Sequence, residues 1–166
     1  MPKPETFRNL LLAAASCMVL AGPVVAGSYD DALIAARLGD TQGLVALLQK
    51  GLEVDTVDAQ GNTLLILAAR EGNADTVKGL LAFRPKIDYR NPAGDSALML
   101  AVLRGHEGAA EVLIEGGATL NHEGWTALHY AAFEGRLALL ERLLAAGADP
   151  EALAPNKSDA LMLAAR

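Results

Sequence analysis

The stretch "GWTALHYAAFEG", Gly124–Gly135, holds the only tryptophan of the chain, two further aromatic residues and one of its three histidines. Trp125, His129 and Phe133 are spaced four apart, as on one face of a helix. Taken alone, the stretch suits a catalytic corner, a binding hot spot or plain core. Its relatives elsewhere in the chain decide between these.

Four other segments align with it: "DDALIAARLGD" (30–40), "GNTLLILAAREGN" (61–73), "GDSALMLAVLRGH" (94–106) and "KSDALMLAAR" (157–166). One column reads Asp30, Thr63, Ser96, Thr126, Asp159, all side chains that cap a helix N-terminus by accepting from its free amides. A second reads Gly39, Gly72, Gly105, Gly135, spaced 33, 33 and 30, which suits the left-handed residue that ends a helix. Behind each glycine an apolar set returns at i, i+3, i+4: Leu44/Leu47/Leu48, Val77/Leu80/Leu81, Ala110/Leu113/Ile114 and Leu140/Leu143/Leu144. The pattern predicts two short antiparallel helices per unit. A pair of this size cannot bury its apolar face alone, so units must stack. Small residues such as Ala68–Ala69 and Ala131–Ala132 let neighbouring helices approach. The tips "DAQGNT" (58–63), "NPAGDS" (91–96) and "NHEGWT" (121–126) join the units, the third unit being three residues short just before its tip.

These columns resemble the ankyrin repeat, roughly D-x-x-G-x-T-P-L-H-x-A-A-x-x-G followed by V-x-x-L-L-x-x-G-A-D. "GWTALHYAAFEG" with "LLERLLAAGAD" (139–149) matches closely. The resemblance covers about residues 28–166 and implies an all-α solenoid with units near 28–55, 56–88, 89–121 and 122–151 and a partial unit at 152–166. Departures from the pattern are local. Leu64, Ala97 and Ala127 replace the proline after the cap, Ile66 and Met99 replace the histidine kept as His129, and "FRPK" (83–86) replaces a Gly–Ala closure, leaving Arg84 where glycine is expected. "SDALMLAAR" supplies one helix of a last unit, either a half-cap or a shortened product.

The N-terminus reads differently. "MPKPETFRN" carries Lys3 and Arg8, "LLLAAASCMVLAG" (10–22) is apolar, and "PVVAGS" offers small residues at a cut before Gly27. This describes a secretory signal peptide over 1–26, with an uncleaved anchor as the rival. The run is too short for a comfortable membrane span. Cleavage would remove Cys17, the sole cysteine, and with it any disulfide, thiolate nucleophile or Cys-ligated zinc. A Cys-free mature chain fits a periplasmic or secreted protein, and a soluble monomer is expected once the signal is removed.

Charge and motifs narrow the function. The net charge of −6 argues against nucleic-acid partners, which need clustered Lys and Arg. The chain contains no G-x-S-x-G, P-loop or H-E-x-x-H, and no cofactor or metal is expected. By resemblance His129 orders its turn, while His106 reads as a solvated helix start and His122 as a loop-tip residue. Met99 and Met162 share a column and read as repeat packing, as does Tyr130, in the column of Leu67 and Leu100. Asn156-Lys-Ser is a glycosylation sequon only in a eukaryotic secretory pathway.

The resemblance implies a non-catalytic module that binds another protein with a concave face made of tips and first-helix ends. Candidate contacts lie between the fixed columns: Gln60, Asn62, Arg70 and Glu71; Asp95, Leu103 and Arg104; Trp125, Phe133 and Glu134, with Ala59, Pro92, Ala93, His122 and Glu123 beside them. Trp125 is either an interface anchor or a cover over the shortened tip. The role expected is an accessory or stabilising factor in the cell envelope, or alternatively an inhibitor or immunity protein whose acidity suits a basic enzyme or toxin.

Overall fold

The computed structural model describes residues 26–165. Residues 1–25, with most of the expected signal peptide and Cys17, lie outside that range. The repeated elements of the described chain are helices joined by turns and loops: α1 (Ala26–Leu38), α2 (Thr41–Gln49), α3 (Leu64–Arg70), α4 (Ala74–Leu81), α5 (Ala97–Arg104), α6 (Glu107–Glu115), α7 (Ala127–Phe133), α8 (Leu137–Ala145) and α9 (Ala160–Ala164). The only extended pairing among the described residues is an isolated antiparallel bridge between Val57 and Thr63.

Odd-numbered helices pack on one another in order, α1 on α3, α3 on α5, α5 on α7 and α7 on α9. Even-numbered helices form a second layer, α2 on α4, α4 on α6 and α6 on α8. One continuous core runs between the layers, built almost wholly from Leu, Ala, Val, Ile and Met. Leu65, Leu98 and Leu128 occupy one column and are each all but fully buried. This is the all-α solenoid of stacked helix pairs that the columns predict.

The caps explain why the helices start where they do. Thr63 accepts from the amide of Ile66, Ser96 from Met99, Thr126 from His129 and Asp159 from Met162. Asp40 does the same for Gly43 at the start of α2. Asp30 breaks the expectation: α1 already begins at Ala26, so Asp30 lies inside the helix. No proline follows Pro23 before it, and nothing else in the sequence halts a helix there.

The four glycines that close the first helices have φ between 65° and 79°, as the column requires. Beside them stands a feature that the sequence reading missed. The residues after Gly72 and Gly105 reach back to the preceding unit. Asn73 donates through Nδ2 to the carbonyls of Ala36 (3.1 Å) and Arg37 (2.9 Å) at the end of α1. His106 donates through Nε2 to the carbonyl of Arg70 at the end of α3 (3.1 Å). These bonds satisfy carbonyls that a helix end leaves without partners. His106 is therefore a half-buried inter-unit strut, not a solvated helix start.

Candidate partner-binding face

The tips are built on a chain of side-chain hydrogen bonds. The Asp58 carboxylate, itself buried, accepts from the amides of Gln60 (3.0 Å) and Asn62 (2.9 Å) and from the Asn62 side chain. Arg37 of the preceding unit closes an ion pair on it at 2.9 Å. Burial alone would raise the Asp58 pKa, but the bonds from Asn62, Gln60 and Arg37 outweigh it and hold the carboxyl below its usual value. The next tip repeats the turn: Asn91 Oδ1 accepts from the amides of Ala93 (3.0 Å) and Asp95 (2.9 Å). Asn91 Nδ2 donates to Asn62 Oδ1 at 2.9 Å, locking one tip to the other. Tyr130 then donates its hydroxyl to Asp95 at 2.8 Å. Burial, followed by that bond to a carboxylate and its charge, pushes the Tyr130 pKa up to about 12.

The third tip departs from this plan. Asp58 and Asn91 each close a turn with the residue four further on, and Ala154 does so with Ser158. Asn121, which the tip alignment pairs with Asn91, instead does the work of Asp55 and Asp88. Asp55 accepts from the amide of Lys86, Asp88 from that of Thr119, and Asn121 from that of Asp149 (2.7 Å). Those three positions are spaced 33 and 33, so the missing residues fall between Asn121 and Gly124. The deletion removes the turn-closing residue itself. Trp125 stands where Asn62 and Asp95 stand in the complete tips. Its indole stacks on Tyr130 and meets His129 edge-on with ring centroids 5.7 Å apart. Partly buried against the core, Trp125 takes the place of the lost loop.

His129 is fully enclosed. Its Nδ1 accepts from the amide of Thr126 (3.1 Å), which puts the ring proton on Nε2, and Nε2 donates to the carbonyl of Ala152 (3.0 Å). The ring thus ties the fourth unit to the loop that leads to α9. His122 bonds the carbonyl of Glu123 (3.1 Å), and partial burial is the main cause of its lowered pKa.

The candidate contact residues separate into two groups. Asn62 is buried and spends its side chain within the tips, so it is no exposed contact. The sequence placed it between fixed columns, but its amide satisfies a buried carboxylate. Asp95 and Trp125 are half-buried and partnered, and Tyr130, half-buried beside them, packs against the edge of the core while its hydroxyl bonds Asp95. Leu103 packs partly on the core, and Arg70 is half-buried and paired with its neighbour Glu71 at 3.0 Å. Gln60, Glu71, Arg104, Phe133 and Glu134 remain exposed. Phe133 is 55% exposed, and Leu137, four residues on at the start of α8, is 67% exposed. Sequence reasoning missed Leu137. The signal was its column, which otherwise holds Thr41, Ala74 and Glu107.

Among the described residues no group of His, Cys, Asp or Glu is arranged to hold a metal ion. No described helix is long and apolar enough to cross a membrane.

Comparison with known proteins agrees with this architecture. The family model for ankyrin repeats (3 copies) matches residues 32–123 and 84–154. The chain is also similar to the inactive serine/threonine-protein kinase TEX14 of Mus musculus, 39% identical over 136 residues, a match spanning 76% of this chain and 7% of that protein. With most of its length covered by repeats whose caps, glycines and tips recur in three dimensions, the chain belongs to the ankyrin repeat family.

Proposed function

We propose that the chain is a non-catalytic protein-binding module of the cell envelope, exported by its N-terminal segment and serving as an accessory or stabilising factor for a partner protein. The observation that carries this reading is the exposure of Phe133, an aromatic side chain in the last turn of a first helix, with Leu103 in the same column and the charges of Arg104 and Glu134 beside it. Neither the core nor the tips use Phe133. Large side chains in such positions often carry a large share of interface energy, roughly 2 kcal/mol or more each. Gln60, Glu71 and Arg70 would form the polar rim.

The test uses the protein as bait in an envelope extract, beside a Phe133→Ala/Arg104→Glu variant and a Glu107→Gln control on the other helix layer. A partner held by wild type and control but lost by the double variant is the expected result. Equal recovery by all three sinks the reading. Mass measurement of the chain recovered from the envelope tests export: a mass starting at Gly27 is expected, and one that includes residues 1–26 overturns cleavage. Binding that weakens steeply with salt would instead favour an inhibitor of a basic enzyme or toxin.

A further inference from the structure

α1, α3 and α5 each carry an arginine in the last turn, where a cation complements the helix dipole. Arg37 of α1 is paired with Asp58 at 2.9 Å, and Arg70 of α3 with Glu71 at 3.0 Å. Arg104 of α5 is exposed and differs from both. It has no carboxylate within ion-pair distance and no side-chain hydrogen bond among the described residues.

A second cation joins it from the next unit. Arg136 follows Gly135 as Asn73 follows Gly72 and His106 follows Gly105, and those two reach back to carbonyls at the end of the previous first helix. Arg136 reaches the same place. A Cβ on Gly105, the residue after Arg104, would lie 2.9 Å from its Cζ. Yet no side-chain N–H of Arg136 bonds a described residue, and no carboxylate among them pairs with it. The end of α5 thus holds two arginines without a counter-charge, in a chain whose net charge is −6. The helix dipole accounts for one cation, as at α1 and α3. Two held together repel, and an anion offsets that repulsion. Apolar side chains flank the pair: Phe133 ends α7 and Leu137 begins α8, both more than half exposed.

From this we infer that the partner presents a side-chain carboxylate to Arg104 and Arg136 and, beside it, an apolar side chain to Phe133 and Leu137. The partner segment is acidic with an apolar anchor. The inference rests on the reading of the face around Phe133 as the binding face, and it adds Arg136 to that face. A guanidinium offers parallel N–H donors that match the two oxygens of a carboxylate. Apolar contact on either side excludes water and strengthens the pairing. A basic enzyme or toxin would meet repulsion here, despite the acidity of the chain as a whole.

The probe is a random peptide library displayed on phage and selected on the purified full-length protein, with the strongest binder then synthesised and titrated by fluorescence anisotropy. Peptides that join Asp or Glu to Leu, Ile or Phe should be enriched. Arg104→Glu/Arg136→Glu should weaken the synthetic peptide roughly tenfold or more and prefer a version with Lys in place of the acid. Arg104→Gln/Arg136→Gln, which removes the charges without reversing them, should weaken it too, so that a disturbed α5 does not account for the loss. Phe133→Ala should cost roughly tenfold as well. Lys78→Glu, an exposed site on α4 in the other layer, should leave binding within about twofold. No enrichment above a blank without protein overturns the inference. So does enrichment of peptides without an acid, or binding indifferent to both double variants. If such peptides still need Phe133, the face stands and only its acidic partner falls; if they do not, the face falls with it.

Discussion

The indole of Trp125 lies over the phenol of Tyr130 with ring centroids 5.6 Å apart and planes inclined by 15°. Trp125 belongs to the shortened tip and Tyr130 to the helix behind it, whose hydroxyl reaches forward to Asp95 of the preceding tip. The stack thus holds the ring whose hydroxyl joins two successive units where the loop between them has lost its turn. Trp125→Ala should destabilise the protein by about 2 kcal/mol, less than a fully buried tryptophan because the ring is half exposed. Phe133→Ala, with no such packing, should change stability by about 0.5 kcal/mol or less. Urea unfolding of the two variants checks the contrast. Equal effects would mean that Trp125 is no structural cover.

Asp58 makes stability depend on acid. Its folded pKa lies below the ordinary 3.8, because bonds from Asn62, Gln60 and Arg37 prevail over burial. The native state therefore binds fewer protons than the unfolded chain as pH falls, so the stabilisation is complete above the unfolded pKa and is lost as pH drops through the folded one. Asp58→Asn should lower stability at pH 6 and show a shallower further decline below pH 4 than the wild type. Unfolding curves between pH 2.5 and 6 decide it. Parallel declines for the two proteins would show that Asp58 does not supply the acid sensitivity.

Arg84 and Lys157 are the only non-glycine residues of the described chain with positive φ, at 54° and 63°. Arg84 stands where the other units place Gly51, Gly117 and Gly147, and Lys157 where the other tips place Gly61, Gly94 and Gly124. A left-handed conformation costs an L-residue roughly 1–2 kcal/mol, and glycine returns part of that through its freer unfolded chain. Arg84→Gly should therefore stabilise by about 0.5–1 kcal/mol. Lys50→Gly, at a helix end with φ of −80°, should instead cost about 0.5–1 kcal/mol. Thermal unfolding of both variants tests the sign at each site.

The strain at Arg84 was legible in the sequence because glycine columns report backbone directly. So were the caps at Thr63, Ser96, Thr126 and Asp159, since a side chain three residues before an amide acts locally. Roles set by what lies across a unit boundary were not legible. Asn62 reads as a free tip residue until Asp58 and Asn91 are seen on either side of it. His106 reads as solvated until the carbonyl of Arg70 appears beside its ring. Asn121 aligns by neighbours with Asn91, yet its partner Asp149 gives it the register of Asp88. At Asp30 the cap column misleads because α1 already runs from Ala26, four residues earlier.

Gly72 and Gly135 separate backbone strain from crowding. Both close a first helix with left-handed φ, 79° and 65°. A Cβ on Gly135 would meet no atom within 4 Å, whereas one on Gly72 would lie 2.5 Å from Nδ1 of His106. Gly135→Ala should cost about 1 kcal/mol, the conformational penalty alone. Gly72→Ala carries the same penalty and also displaces the imidazole, losing its bond to the Arg70 carbonyl, for a total of about 2 kcal/mol. Removing the ring by His106→Ala should therefore bring the cost of Gly72→Ala down to that of Gly135→Ala, a non-additivity of about 1 kcal/mol in the double-mutant cycle. If the two glycines cost the same with His106 in place, the imidazole yields freely and the strut between units contributes nothing measurable.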